Sequence, residues 1–391
     1  MENTSPIKYG QYMTSLIASV INDTAPPLPF EEMNWQTLYQ LSLLHNVAVM
    51  IYPAVKKLDP PEDILKKFEY NHFRMVSRTA RQDIEAQRIF DIIEKMEIPY
   101  IKLKGIYLKS LYPAPFMRTH ADIDICTSHE NRVRLFSVME EEGYSLDMAL
   151  DYHDEFIKDN FYIYEIHSDL LDSRSEFYDI FKDPFSKSKP EKQSGFSYIL
   201  KDEYFYLHLL LHLHKHFVSE GCGVRLFADL YVFRKNHPEM DEELIRSIVS
   251  EYDLKEFEHH INELIKCFFE GQEFSDRYEL LAEFILTSGE YGHADLKHIP
   301  WISSKRTADI STKDKIRYFM GNWFPGTKMM CHTYPVLKKA PYLLPVCWVR
   351  RAFRTVFFKR SAIKKQYEEI KKLNSQKFKN VKAIHKLAGI K

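Results

Sequence analysis

Glycine is scarce in this sequence, at 12 of 391 residues, which argues against a glycine-rich all-β protein and favours helices. Cysteine is scarcer still. The five present (Cys126, Cys222, Cys267, Cys331 and Cys347) are odd in number and show no C-x-x-C spacing. Neither a disulfide framework nor a zinc site is suggested, and a reducing cytoplasm fits. Net charge is nearly absent, at −1, so the molecule as a whole is not a polyanion binder. Long apolar runs are missing too. The longest late one, "APYLLPVCWV", has ten residues with two prolines, too short to span a bilayer. The start, "MENTSPIKYGQYM", lacks the basic region and apolar stretch of a signal peptide. The expectation is a soluble, cytoplasmic protein with no transmembrane segment.

What is present is apolar mass and unevenly spread charge. Apolar residues make up 45% and aromatics 14%, enough for about two or three packed domains. From Lys359 to Lys391 there are eleven Lys/Arg against two Glu, which leaves about −10 on residues 1–358. Such a tail reads as a solvated basic helix, or as a weak contact for nucleic acid or an anionic lipid surface.

Periodicity predicts helices over 9–22 and 31–48, the second carrying Trp35, Leu38, Leu41 and Leu44 at helical spacing. A proline-rich connector, "DTAPPLPFEEMN", joins them. From Pro61 to Met96 one or two more helices are expected. The period then changes. "IPYIKL" reads as a strand, "YLKSLY" as a short helix, and "ADIDICT" and "NFYIYEIHS" as half-buried strands. Between the last two, 130–142 reads as a helix stopped by Gly143. Helices return at 202–218, 224–236, 241–252 and 254–270. An extended, proline-broken segment follows at 332–345, then a basic amphipathic helix over 346–373. No internal repeat of fixed period is found. The fold class is therefore α+β: an N-terminal helical region (1–96), an α/β core (97–200), a helical domain (201–330) and a C-terminal segment (331–391).

Chemistry concentrates in the core. Side chains alternate along a strand, so Asp122 and Asp124 point the same way while Ile123 and Ile125 point to the interior. Two like charges that close repel, and a hard divalent cation, Mg²⁺ or Mn²⁺, relieves the conflict. On the later strand Ile163, Glu165 and His167 share a face. If the two strands adjoin, Glu165 reaches the same ions, and three carboxylates suit two-metal phosphoryl transfer. Asp169 is a weaker candidate, past the strand end. Lys104-Gly105 sits at a strand-to-helix turn whose free N–H groups favour phosphate. Arg118, four residues before Asp122, would supply a forked grip on phosphate oxygens. Taken singly, each of these cations also reads as an ordinary exposed charge.

The pattern "LKG-x(12)-R-x(3)-D-x-D", followed by a strand ending in "EIH", resembles the bacterial nucleotidyltransferase family with a Lys-Gly turn, of the DNA polymerase β-like superfamily. "MNWQTLYQLSLLHNVAVMIY", "LLLHLHKHF…GVRLFADLYVF" and "YPVLKKAPYLLPVCWVRR" are similar to the family's helical parts before and after its core. The resemblance implies a polymerase β-like core and transfer of a nucleoside monophosphate from an NTP to an acceptor. It implies metal binding by Asp122, Asp124 and Glu165, and nucleotide contact by Lys104, Gly105 and Arg118. The wider superfamily carries Gly-Ser where this chain has Lys-Gly, so the phosphate geometry differs. The acceptor stays open: a small molecule, a sugar phosphate, a protein or an RNA end.

His208, His212 and His216 recur at four-residue steps on one face of an apolar helix, with His214 off it. No H-E-x-x-H is present, so buried, cleft-lining histidines are expected beside His167. Arg225 and Asp229 stand four apart, spaced for an intrahelical pair or for a pair that docks the helical domain on the core. Two other readings remain: a D-x-D glycosyltransferase using a metal and a sugar nucleotide, and an inactive nucleotide- or partner-binding module.

Overall fold

Seven strands form one mixed sheet: β1 (Tyr100–Lys102), β2 (Ile123–Cys126), β3 (Ser145–Ala149), β4 (His153–Lys158), β5 (Tyr162–His167), β6 (Ser188–Pro190) and β7 (Ser197–Leu200), in the order β3-β4-β5-β2-β1-β7-β6. The computed structural model describes residues 6–191, 195–219 and 221–290, and further on 324, 326–327, 330, 334–338, 340–358 and 375–390. At the centre of the sheet, β2 runs parallel to β5 and antiparallel to β1. Alternation decides the faces. Ile123, Ile125, Tyr164 and Ile166 pack beneath the sheet against α4 (Glu62–Lys95) and α6 (His129–Glu141). Burying each such side chain contributes about 1.5–3 kcal/mol. A one-residue slip would turn Asp124 into that core, so the register is strongly specified.

The opposite face meets a second, larger core built from helices. Here α1 (Pro6–Ile21) packs on α3 (Ala48–Val55), α10 (Lys255–Phe269) and α11 (Asp276–Ser288). Residues of α7 (Asp202–Ser219) and α8 (Val224–Asn236) fill the same core. Helices from before and after the sheet thus share one interior. α2 (Trp35–Leu44) and α9 (Glu242–Glu251) complete this layer, and α5 (Lys104–Leu108) caps β1.

Helix α4 links the two cores. Its 34 residues span about 51 Å. Its buried stripe begins with Ile64 and Phe68 in the helical core and ends with Ala86, Ile89, Phe90 and Ile93 under the sheet. In between, the stripe turns polar, with buried Asn71, Thr79 and Gln82 around Met75.

Several expectations need correction. The single helix over 31–48 is two, broken at His45–Val47, where Asn46 adopts a left-handed backbone (φ 53°) that ends a helix. The stretch 332–345 is not extended: its described residues form 3₁₀ turns at Pro335–Lys338 and Pro341–Leu343. Proline's fixed φ suits the first position of such a turn. The helix expected over 346–373 is α12 (Leu344–Phe358), and 359–373 lie outside the described residues. The basic tail is described only from α13 (Ser375–Leu387) onward. Strands β3, β4, β6 and β7 and helix α11 are elements that periodicity does not reveal. β3 is exposed along its length and β6 is three residues long, so neither shows a clean alternation.

Candidate active site

Asp124 and Glu165 are direct partners in the parallel β2–β5 register, so their side chains stand side by side on the face turned toward the helices. His167, two residues on, completes a trio. Its Nε2 lies 3.2 Å from Asp124 Oδ1 and 3.2 Å from Glu165 Oε2. One ligand atom from each of the three lies within 4.8 Å of the others. Cis ligands around a small octahedral cation are separated by about 3 Å, so this donor set fits a divalent ion. Lys104 Nζ also reaches Asp124 Oδ1, at 3.1 Å. It does so from a left-handed backbone (φ 34°) uncommon for a residue with a side chain.

The electrostatics follow from burial and crowding. Burial opposes the charge of Asp124, but Lys104 and His167 hold its carboxyl well below the usual range. Asp122 has no such partner. Burial, then the charge of Asp124, raises it to about 6. His167 and Lys104 are each raised, the bonds to the carboxylates outweighing desolvation. Asp122 stands just before β2 begins and outside the trio, yet lines the same cavity as Asp124. Asp169 lies past β5, where Tyr178 donates to it at 2.8 Å.

That cavity, of about 420 Å³, opens between the sheet and the helices and is lined by Lys104, Gly105, Arg118, Asp122, His212 and His216 among others. Gly105 is there for space. A Cβ at this position would lie 3.0 Å from that of His120. Its helix, α5, has only five residues, so the turn offers backbone N–H groups with little dipole.

Arg118 is spent on structure. Its Nε donates to both oxygens of Asp229 at 2.7 and 2.9 Å, and NH1 donates to the Thr119 carbonyl at 2.6 Å. Tyr112 adds a third hydrogen bond to Asp229 at 2.8 Å. The pair expected between Arg225 and Asp229 is therefore exchanged. Asp229 docks the core's Arg118, and Arg225 pairs with Glu290 while donating to the Thr119 carbonyl at 3.1 Å. From α4, Gln82 holds the His120 carbonyl at 3.2 Å. The loop leading into Asp122 is thus clamped by helices on both sides.

Of the histidine stripe, His208 is buried, while His212 and His216 are half-buried. Burial keeps His208 down to about 3 and His212 well below the ordinary value. His212 and His216 face each other at 4.6 Å between ring centroids on the cavity wall. His214 packs against Phe177 and Phe257 instead.

Paired carboxylates on adjacent parallel strands thus stand together beside a cleft, with a lysine just past the end of the preceding strand. Residues 31–270, well over half the chain, match the family described as uncharacterised nucleotidyltransferase, and the chain belongs to that family. The match ends before 334–351, so the resemblance read there lies outside it. A comparison with curated proteins finds no match. Among solved structures, the antibiotic-resistance factor ANT(2'')-Ia is similar at 15% identity and a TM-score of 0.36, over 46% of this chain and 98% of that one. That likeness is too remote to transfer any property. No helix of the described residues is long and apolar enough to cross a membrane.

Sequence reasoning missed Arg74, Arg78 and His120, which also line the cavity. The available signal was the polar interruption in the α4 stripe, at the helical repeat that otherwise holds apolar residues.

Proposed function

We infer that this protein transfers a nucleoside monophosphate from an NTP to an acceptor hydroxyl or phosphate. The acceptor oxygen forms a bond to the α-phosphorus as the bond to pyrophosphate breaks. The observation that carries this reading is the in-register pairing of Asp124, which lines the cavity, with Glu165 on the next strand, with Lys104 and His167 in bonding distance of Asp124. Asp122, Asp124 and Glu165 would hold Mg²⁺ or Mn²⁺, which when bound neutralises phosphate charge and lowers the pKa of a coordinated hydroxyl. Glu165 would accept the acceptor's proton, and His167, within 3.2 Å of both carboxylates, would orient them. Clamping of the loop before Asp122 fixes the acidic groups in advance, so positioning and electrostatics supply most of the rate. Every element described before β1 is a helix, which speaks against the doubly wound region a D-x-D glycosyltransferase builds ahead of its motif.

The test is pyrophosphate release from the four NTPs with Mg²⁺ or Mn²⁺ in the presence of a cell extract as acceptor source. Asp124→Asn should lower it by about 10³-fold or more, with the circular dichroism spectrum retained. Unchanged release in that variant rejects the assignment.

A further inference from the structure

The middle of α4 carries a feature that the catalytic reading leaves unused. Asn71, Arg74, Met75 and Arg78 recur at helical spacing and all face the cavity opposite the carboxylates. Arginines four apart on one helix repel each other. Among the described residues, neither Arg74 nor Arg78 enters an ion pair, and the buried Nε of Arg78 has no hydrogen-bond partner. Across from them is His120, only 4% exposed, with both ring nitrogens unpartnered. Its neighbourhood is strongly positive. The charges of Lys109, Arg118 and Arg78 bear on this ring, against that of Asp124.

The other cations of this cavity are already matched: Lys104 by Asp124, Arg118 by Asp229 and Arg225 by Glu290. Positive charge without a counter-ion is therefore left on α4. An imidazole offers at least one N–H donor, and two guanidinium forks offer several more. Such a set matches the peripheral oxygens of a phosphate chain, and it meets them from the middle of the helix that links the two cores.

We propose that Arg74, Arg78 and His120 form the subsite for the β- and γ-phosphates of the nucleotide, in place of the Ser-bearing turn this chain lacks. The assignment rests on the nucleotidyl-transfer reading for the identity of its ligand, but not for the presence of an anion site. It places the leaving pyrophosphate against α4 and the α-phosphorus toward Asp124 and Glu165. The N-terminal helices thereby become part of the nucleotide site.

The experiment is calorimetric binding of tripolyphosphate, ATP and adenosine to the full chain and its variants. Arg74 is exposed, so Arg74→Glu tests the site without endangering the fold, and Arg78→Ala tests the half-buried partner. Each should weaken tripolyphosphate and ATP by about tenfold or more while adenosine is unaffected. Tripolyphosphate affinity unchanged in folded Arg74→Glu overturns the proposal. So does loss of tripolyphosphate binding with ATP affinity intact, which would assign the site to a phosphorylated acceptor. Mn²⁺ binding, followed by paramagnetic resonance, should persist in both variants. If Asp124→Asn still releases pyrophosphate, the transferase reading fails, and the tripolyphosphate result decides separately whether α4 binds anions.

Discussion

Two buried clusters of charge lie either side of the cavity, and they are organised in opposite ways. In one, Asp229 takes Arg118 and Tyr112, and the remaining guanidinium bonds go to a backbone carbonyl. Its charges balance one to one. In the other, Asp122, Asp124 and Glu165 share one lysine and one histidine, and burial, then the charge of Asp124, raises Asp122 to about 6. Both clusters cost desolvation. The first recovers it within the fold, while the second leaves an acidic excess that a cation would satisfy. Burial of charge alone therefore does not mark a site here; imbalance does.

Breaking the balanced cluster should have the largest effect on stability. Asp229→Ala leaves Arg118 buried and uncompensated, and should cost about 3–5 kcal/mol, seen as a lower midpoint in chemical denaturation. A result under about 1 kcal/mol would show that this pair is not what docks α8 on the core.

The next effect concerns the joint between the N-terminal and later helices. His45 is buried, with Nε2 at 3.0 Å from the Leu286 carbonyl and Nδ1 accepting from the Val224 amide at 3.4 Å. Burial holds it down to about 4. An unfolded chain then binds a proton near pH 6.5 that the folded chain refuses, so stability is lost as pH falls from about 6.5 to 4. The loss should approach about 3 kcal/mol. Wild type and His45→Gln compared by thermal melts across this range should diverge in slope; parallel slopes would remove His45 as the cause.

The smallest expected shift has the opposite sign. Asp122 is raised, so the folded state holds its proton more tightly than the unfolded state does. Its contribution to stability falls as pH rises from about 4 to 6, and at neutral pH its charge is a burden. Asp122→Asn should therefore raise the apo protein's stability by about 1–3 kcal/mol while cutting metal-dependent turnover. A destabilised variant would mean that the acidic excess is already relieved within the fold.

Much of this was legible in the sequence. Alternation in "ADIDICT" and "NFYIYEIHS" put Asp124, Glu165 and His167 on one side of their strands, since the apolar partners Ile123, Ile125, Tyr164 and Ile166 can go only inward. The helices after 201 were legible for the same reason. Pairing was not. Arg225 and Asp229 have the spacing of an intrahelical pair, but Arg118 arrives from another element and takes both oxygens. Asp122 shares the parity of Asp124 but precedes the strand. His167 was expected in the cleft, and its equal distance from two carboxylates depends on which strand lies beside which. Arg74 and Arg78 were not singled out, because the polar break in the α4 stripe does not by itself say that a cavity opens beside it.

The sequence by itself determined the periods, and hence which side chains each strand and helix turns inward, because burial of apolar surface acts residue by residue along the chain. The meeting of β2 with β5, the clamp on the loop before Asp122 and the arginines across the cavity were decided only by the tertiary structure. Those relations join residues tens of positions apart, and their energies depend on distances that no local pattern encodes.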